Sequence, residues 1–132
     1  MYGKLSELDL KQLRQALGER EQRLRYLVQL ARQTKLPDDF RQSEREVFGC
    51  EARVWVQVTW SAQGLMLQLD SESRTILGLL QLLAKALQGA SPAEVQAFNL
   101  TAYLQALGLT EFVSSSRRNG LQQVVQAIQR CA

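Results

Sequence analysis

Between Arg53 and Asp70 the apolar residues of this chain recur at every second position, a spacing that only an extended strand gathers onto one face. Val54, Val56, Val58 and Trp60 share one side, with Trp55, Gln57 and Thr59 on the other. After the turn-forming Ser61-Ala62-Gln63-Gly64 the alternation resumes, with Leu65, Leu67 and Leu69 set against Met66, Gln68 and Asp70. Two such runs joined by a short turn predict an antiparallel hairpin. Trp60 belongs to the apolar set and is expected in the core, leaving Trp55 for an exposed contact surface. A hairpin alone is marginally stable in water, so other elements must cover it, and the Val47 region is the candidate for a third strand.

On either side of the hairpin the spacing is helical. Ser6 with Asp9 three residues later forms a capping box ahead of Leu10, Leu13 and Leu17, which predicts a first helix ending at Gly18. A second helix is predicted from Glu19 to Thr34, burying Leu24, Leu27, Val28 and Ala31, turning Arg20, Gln22 and Arg23 to water, and stopping at Leu36-Pro37-Asp38-Asp39. Asp70-Ser71-Glu72-Ser73 reads as the cap of a leucine-rich helix from about Arg74 to Gln88, the expected centre of the core with Ile76, Leu77, Leu80, Ala84 and Leu87 inward. Ser91-Pro92-Ala93-Glu94 starts a short helix, and Thr101 to Leu107 forms another. Leu121, Val124, Val125 and Ile128 mark a last helix, preceded by the polar run from Ser114 to Gly120. The expected fold class is α+β, a small antiparallel sheet of two to three strands covered by helices in one domain spanning residues 1–132.

Composition narrows the chemistry. The 132 residues are 45% hydrophobic and 22% charged, enough for one core and too few for two. There is no histidine, which removes Cys-His and Ser-His catalysis and most mixed-ligand zinc sites. The net charge of +3 is spread among interleaved acids, which argues against nucleic-acid binding. Met1-Tyr2-Gly3-Lys4 opens no apolar leader and no run approaches a membrane span, so a cytoplasmic protein with no membrane association is expected. The two cysteines, Cys50 and Cys131, are then reduced thiols.

Cys50 follows a glycine at the entry to the first strand, after a polar stretch and near Arg53. Two readings of it compete. It is either a small buried apolar residue or an accessible thiol whose thiolate is favoured by nearby arginine and by unpaired backbone N–H groups. Cys131, next to the last residue, reads as an incidental thiol, and the arginines of the second helix read as a solvated face.

Gly49-Cys50-Glu51-Ala52-Arg53-Val54-Trp55 resembles the Gly-Cys-x-x-x-Val-Trp signature of the SufE family, sulfur acceptors of cysteine desulfurases. Further blocks resemble the family in the same order: Tyr26 to Pro37, Asp70-Ser71-Glu72 with Ile76-Leu77-Gly78-Leu79-Leu80, Leu107-Gly108-Leu109, and Ser116-Arg117-Arg118-Asn119-Gly120-Leu121. Glu51-Ala52-Arg53 is similar to the CsdE branch rather than the SufE branch, which usually has serine at the position of Ala52, and Phe112 stands where many members carry histidine.

The resemblance implies that Cys50 carries a persulfide and that Arg117 lies near its loop. Glu51 and Arg53, flanking the thiol, and Arg117 are candidates for partner contacts and for supporting the thiolate, the two arginines by their charge. It also implies a pyridoxal-phosphate cysteine desulfurase of the SufS or CsdA type as partner and a downstream sulfur acceptor or iron-sulfur scaffold as recipient. No cofactor or metal is expected on this chain, because the desulfurase supplies the pyridoxal phosphate. Persulfide transfer is thiolate attack on an outer sulfur and needs no histidine on the acceptor. Two other readings are a non-catalytic adaptor with a structural cysteine and a thiol redox sensor.

Overall fold

The computed structural model describes residues 1–33 and 36–132. The hairpin is present as predicted, with β2 (Val54–Ser61) antiparallel to β3 (Gly64–Ser71) from Val54 opposite Ser71 to Ser61 opposite Gly64. A two-residue strand, β1 (Glu46–Val47), pairs antiparallel with Trp55 and Val54, so the sheet has the order β1-β2-β3 and the third strand comes from the expected region. The outer edge of β3 is closed off. The Gln88 side chain exchanges two hydrogen bonds with the Leu67 backbone, and Leu65 does the same with Gly89 and Ala90 through main chain, which leaves little edge for another strand to join.

Six α-helices surround the sheet among the described residues: α1 (Glu7–Leu17), α2 (Arg20–Arg32), α3 (Arg74–Leu87), α4 (Pro92–Ala97), α5 (Leu100–Ala106) and α6 (Ser115–Gln129). The capping boxes at Ser6 and Ser91 form with both reciprocal hydrogen bonds. α3 is the centre of the core, buried at nine positions including Leu79, Leu80, Leu82, Leu83 and Leu87, so its apolar surface extends beyond the stripe read from the sequence. α2 and β3 pack directly on it. Beneath it the Tyr103 hydroxyl, wholly buried, donates to the Leu82 carbonyl at 2.6 Å, the partner a buried phenol requires.

Four expectations are corrected. α2 buries Leu27, Leu30 and Ala31, whereas Leu24 is 46% exposed, because the helix turns its Leu27–Leu30–Ala31 edge onto α3. Arg23 does not simply face water: its guanidinium donates to the Gly18 carbonyl and lies 5.5 Å from the Phe112 ring centroid, tying the turn between α1 and α2 to the segment before α6. The predicted end of this helix at Thr34 lies outside the described residues.

The tryptophans also exchange roles. Trp55 is buried and Trp60 is only half-buried. The segment from Pro37 to Arg45, with two short 3₁₀ turns, brings Arg41 beside Trp55, and the Arg41 and Arg53 guanidiniums lie 4.7 and 4.9 Å from its ring centroid. Asp70 and Glu46 in turn hold these two cations. Trp60 stays at the margin, where its indole N–H donates to the Cys131 carbonyl.

The polar run before the last helix is the helix itself. α6 starts at Ser115 with Ser114 as its cap, the Ser114 hydroxyl accepting from the Arg117 N–H. Serine, arginine and asparagine are tolerated there because the first turns of α6 carry them on a mostly exposed side.

Candidate functional site: the Cys50 cleft

Between β1 and β2 the chain makes a short excursion, residues 48–53, that carries Phe48, Gly49, Cys50 and Glu51. Gly49 takes φ = +95°, a conformation that side-chain-bearing residues rarely adopt, and the chain bends there just before the cysteine. Where the excursion rejoins the sheet it is clamped from β3 and the turn after it. The Glu72 carboxylate accepts from the Arg53 N–H at 3.2 Å, and the buried Ser71 hydroxyl donates to the Arg53 carbonyl at 2.8 Å. These contacts give Asp70-Ser71-Glu72 a structural task at the base of the cysteine loop.

Cys50 sits half-buried against α6. Its thiol donates to the Gly120 carbonyl at 3.4 Å, one and a half turns into that helix. The approach is close because Gly120 has no side chain: a Cβ there would lie 3.2 Å from the Cys50 Cα and 3.4 Å from its Sγ. Val54, Ile76, Leu79, Leu80 and Val124 wall the cleft behind the sulfur, leaving a cavity of about 10 Å³, no more than one water molecule requires. Burial in these apolar surroundings pushes the Cys50 thiol above its ordinary pKa. The resting sulfur is therefore a protonated, hydrogen-bonded thiol.

The charged residues named from the sequence divide into two groups. Glu51 and Arg117 meet at the mouth of the cleft, Arg117 Nε donating to the Glu51 carboxylate at 3.2 Å across 66 residues of sequence. Arg53 turns away along the sheet. Its guanidinium makes two hydrogen bonds to Glu46, at 2.9 and 3.1 Å, and these hold the Glu46 carboxyl below its usual pKa. Cys131 is exposed near the end of α6, its thiol donating to the Ala127 carbonyl.

Two contributors escaped the reading of the residues. Gly120 is at once the acceptor for the thiol and the gap that admits it, and a glycine inside a helix, which weakens the helix unless close packing requires it, was the available signal. The apolar wall from α3 had no local signal, since leucines in a leucine-rich helix look alike until the fold selects which of them face the cysteine.

The same fold occurs among solved structures. A solution structure of a hypothetical protein from Thermus thermophilus superposes with a TM-score of 0.78 over 98% of this chain and 94% of that one, at 23% sequence identity. In sequence, the sulfur acceptor protein CsdE of Escherichia coli (strain K12) is 39% identical over 114 residues, covering 85% of this chain and 78% of the relative. The SufE family model, described as an Fe-S metabolism associated domain, matches residues 9–132. The chain belongs to the SufE family and, within it, is similar to CsdE.

Proposed function

We propose that this chain, acting as one unit over residues 1–132, is a sulfur acceptor that takes sulfane sulfur onto Cys50 from a pyridoxal-phosphate cysteine desulfurase. It stimulates that enzyme by clearing its cysteine, and hands the sulfur to a downstream acceptor such as an iron-sulfur cluster scaffold. The observation that carries this reading is the built environment of Cys50 in a chain of the SufE family: a thiol on a loop, hydrogen-bonded to a helix carbonyl and backed by an apolar cleft. The chain is an accessory to the desulfurase, which supplies the cofactor chemistry.

The transfer balances without an outside oxidant. Cys50 loses its proton to solvent and attacks the outer sulfur of the desulfurase persulfide. A new S–S bond forms on Cys50 as the donor's S–S bond breaks, and the donor cysteine leaves as a thiolate. In the resting geometry the thiol is half-buried and protonated, so the loop must first carry it out of the cleft, giving up the Gly120 hydrogen bond. Glu51, Arg53 and Arg117 are assigned to partner contact; Arg117, at the mouth of the cleft, stabilises the thiolate once docking releases it from Glu51, and Arg53 does so only if it also leaves Glu46.

The test compares two serine variants in a desulfurase assay with cysteine as the sulfur source. Cys50→Ser is expected to fold and to lose all stimulation, while Cys131→Ser keeps that of the unaltered protein. Stimulation retained by Cys50→Ser contradicts the carrier role.

A further inference from the structure

Phe48 is the most exposed large apolar side chain among the described residues, with 73% of its surface open to solvent. It stands two residues before Cys50, and the turn at Gly49 separates it from the cleft that receives the thiol. It also forms one wall of a groove of about 430 Å³ whose apolar lining is Val47, Val56, Val58 and Ala127 and whose remaining lining is Cys131 and the charged residues Glu44, Arg45, Glu46 and Arg130. Among the described residues this phenyl ring is part of neither the hydrophobic core nor the side chains packed against it.

Geometry states what covers it. Two residues of chain span at most about 7 Å, so the Cα of Phe48 lies within that distance of the Cα of Cys50. A specific protein interface buries about 800 Å² on each partner, a disc roughly 16 Å in radius. A desulfurase that brings its persulfide into contact with the Cys50 sulfur therefore lies over Phe48 as well. Aromatic side chains near the middle of such interfaces carry a disproportionate share of the binding energy when they enter an apolar pocket ringed by polar contacts. Here charged side chains flank the phenyl ring: Glu46, paired with Arg53, lines the same groove with Arg45 and Arg130.

We propose that Phe48 is the aromatic anchor of the desulfurase-docking surface, entering an apolar pocket beside the donor cysteine, and that the adjoining groove receives an apolar side chain of the same enzyme. The proposal rests on the sulfur-acceptor reading and adds the patch that gives the encounter its affinity.

The experiment titrates the full-length protein into a fixed amount of desulfurase and reads two quantities, the concentration giving half-maximal stimulation and the maximal stimulation. Phe48→Ala is expected to raise the first at least tenfold, a loss of about 1.4 kcal/mol, and to leave the second unchanged. Ala127→Arg, which fills the groove away from the thiol, should shift it in the same direction. Iodoacetamide alkylation of Cys50 in the free proteins is the control, expected to match across all three. An unaltered half-maximal concentration in both variants, with full wild-type stimulation, overturns the patch and leaves the sulfur-acceptor reading standing. Wild-type protein that neither binds nor stimulates the desulfurase overturns both. If Phe48→Ala weakens self-association or hand-over to the downstream acceptor while desulfurase affinity is unchanged, the patch serves that other occupant and the proposal fails. A weaker affinity in Phe48→Ala alone, with altered Cys50 alkylation, also counts against it, since a disturbed loop then accounts for the loss.

Discussion

At Cys50 the same surroundings that position the sulfur suppress its reactivity. The thiol is a donor to the Gly120 carbonyl and backs onto leucine, isoleucine and valine, so ionising it in place strands a charge against apolar side chains and a carbonyl oxygen. Arg117 is spent on Glu51 and Arg53 on Glu46, which leaves burial as the cause of the raised pKa. A thiol whose folded pKa is raised contributes stability below its unfolded pKa of about 8.5 and loses that contribution as pH rises through the folded value. In a Cys131→Ser background, the pH midpoint for Cys50 alkylation should accordingly lie higher in native protein than in urea. The unfolding free energy should fall with rising pH above the unfolded midpoint, and Cys50→Ser should remove that component. A native midpoint at or below the urea value would mean that the closed thiol is not the resting species in solution.

The element that governs the site is α6. Its first turns hold Arg117 at the mouth of the cleft and its sixth residue, Gly120, against the cysteine, while Val124 completes the wall. An alanine methyl at position 120 meets the Cys50 backbone at 3.2 Å, tighter than ordinary contact, so the loop must give by a few tenths of an ångström. Helix propensity alone would favour this change by about 1 kcal/mol, which makes the outcome diagnostic: Gly120→Ala should gain nothing in thermal stability, and Cys50 alkylation at neutral pH should accelerate severalfold as the loop is displaced. Stabilisation with unchanged alkylation would show that the packing of loop on helix is looser than described.

Most of α6 was legible in its apolar spacing, but its start was not, because the Ser114–Gly120 run carries the residues that usually mark loops. What overrides them is tertiary: a serine cap, an exposed flank and a cysteine pressed on the glycine. Trp55 teaches the same lesson in the sheet. Period-two spacing assigned it correctly to the face opposite Val54 and Val56, yet arginines from another segment and from the loop base buried it there.

Across the whole molecule the chain divides its labour between a rigid core and one short mobile requirement. α3, enclosed by sheet and helices, fixes the wall behind the sulfur, and the clamp of Ser71 and Glu72 on Arg53 fixes the base of the loop. Between that base and β1 lie only residues 48–52, so in the proposed transfer the rearrangement that presents Cys50 gives up the Gly120 contact and the Glu51–Arg117 pair. The Asp-Ser-Glu and Ser-Arg-x-x-Gly-Leu blocks read from the sequence support the loop that carries Gly49 and Cys50, while the Val-Trp end of the Gly-Cys block is fixed in β2. The central claim is that Cys50 is where sulfur lands. It is tested most directly by incubating the protein with a cysteine desulfurase and cysteine under anaerobic conditions, trapping thiols and persulfides by alkylation, and mapping the added mass by peptide mass spectrometry. One extra sulfur atom on the peptide containing Cys50, absent when the desulfurase or cysteine is omitted and absent from the peptide containing Cys131, is the result predicted. Sulfur found only on Cys131, or on neither peptide while the desulfurase turns over, would contradict it.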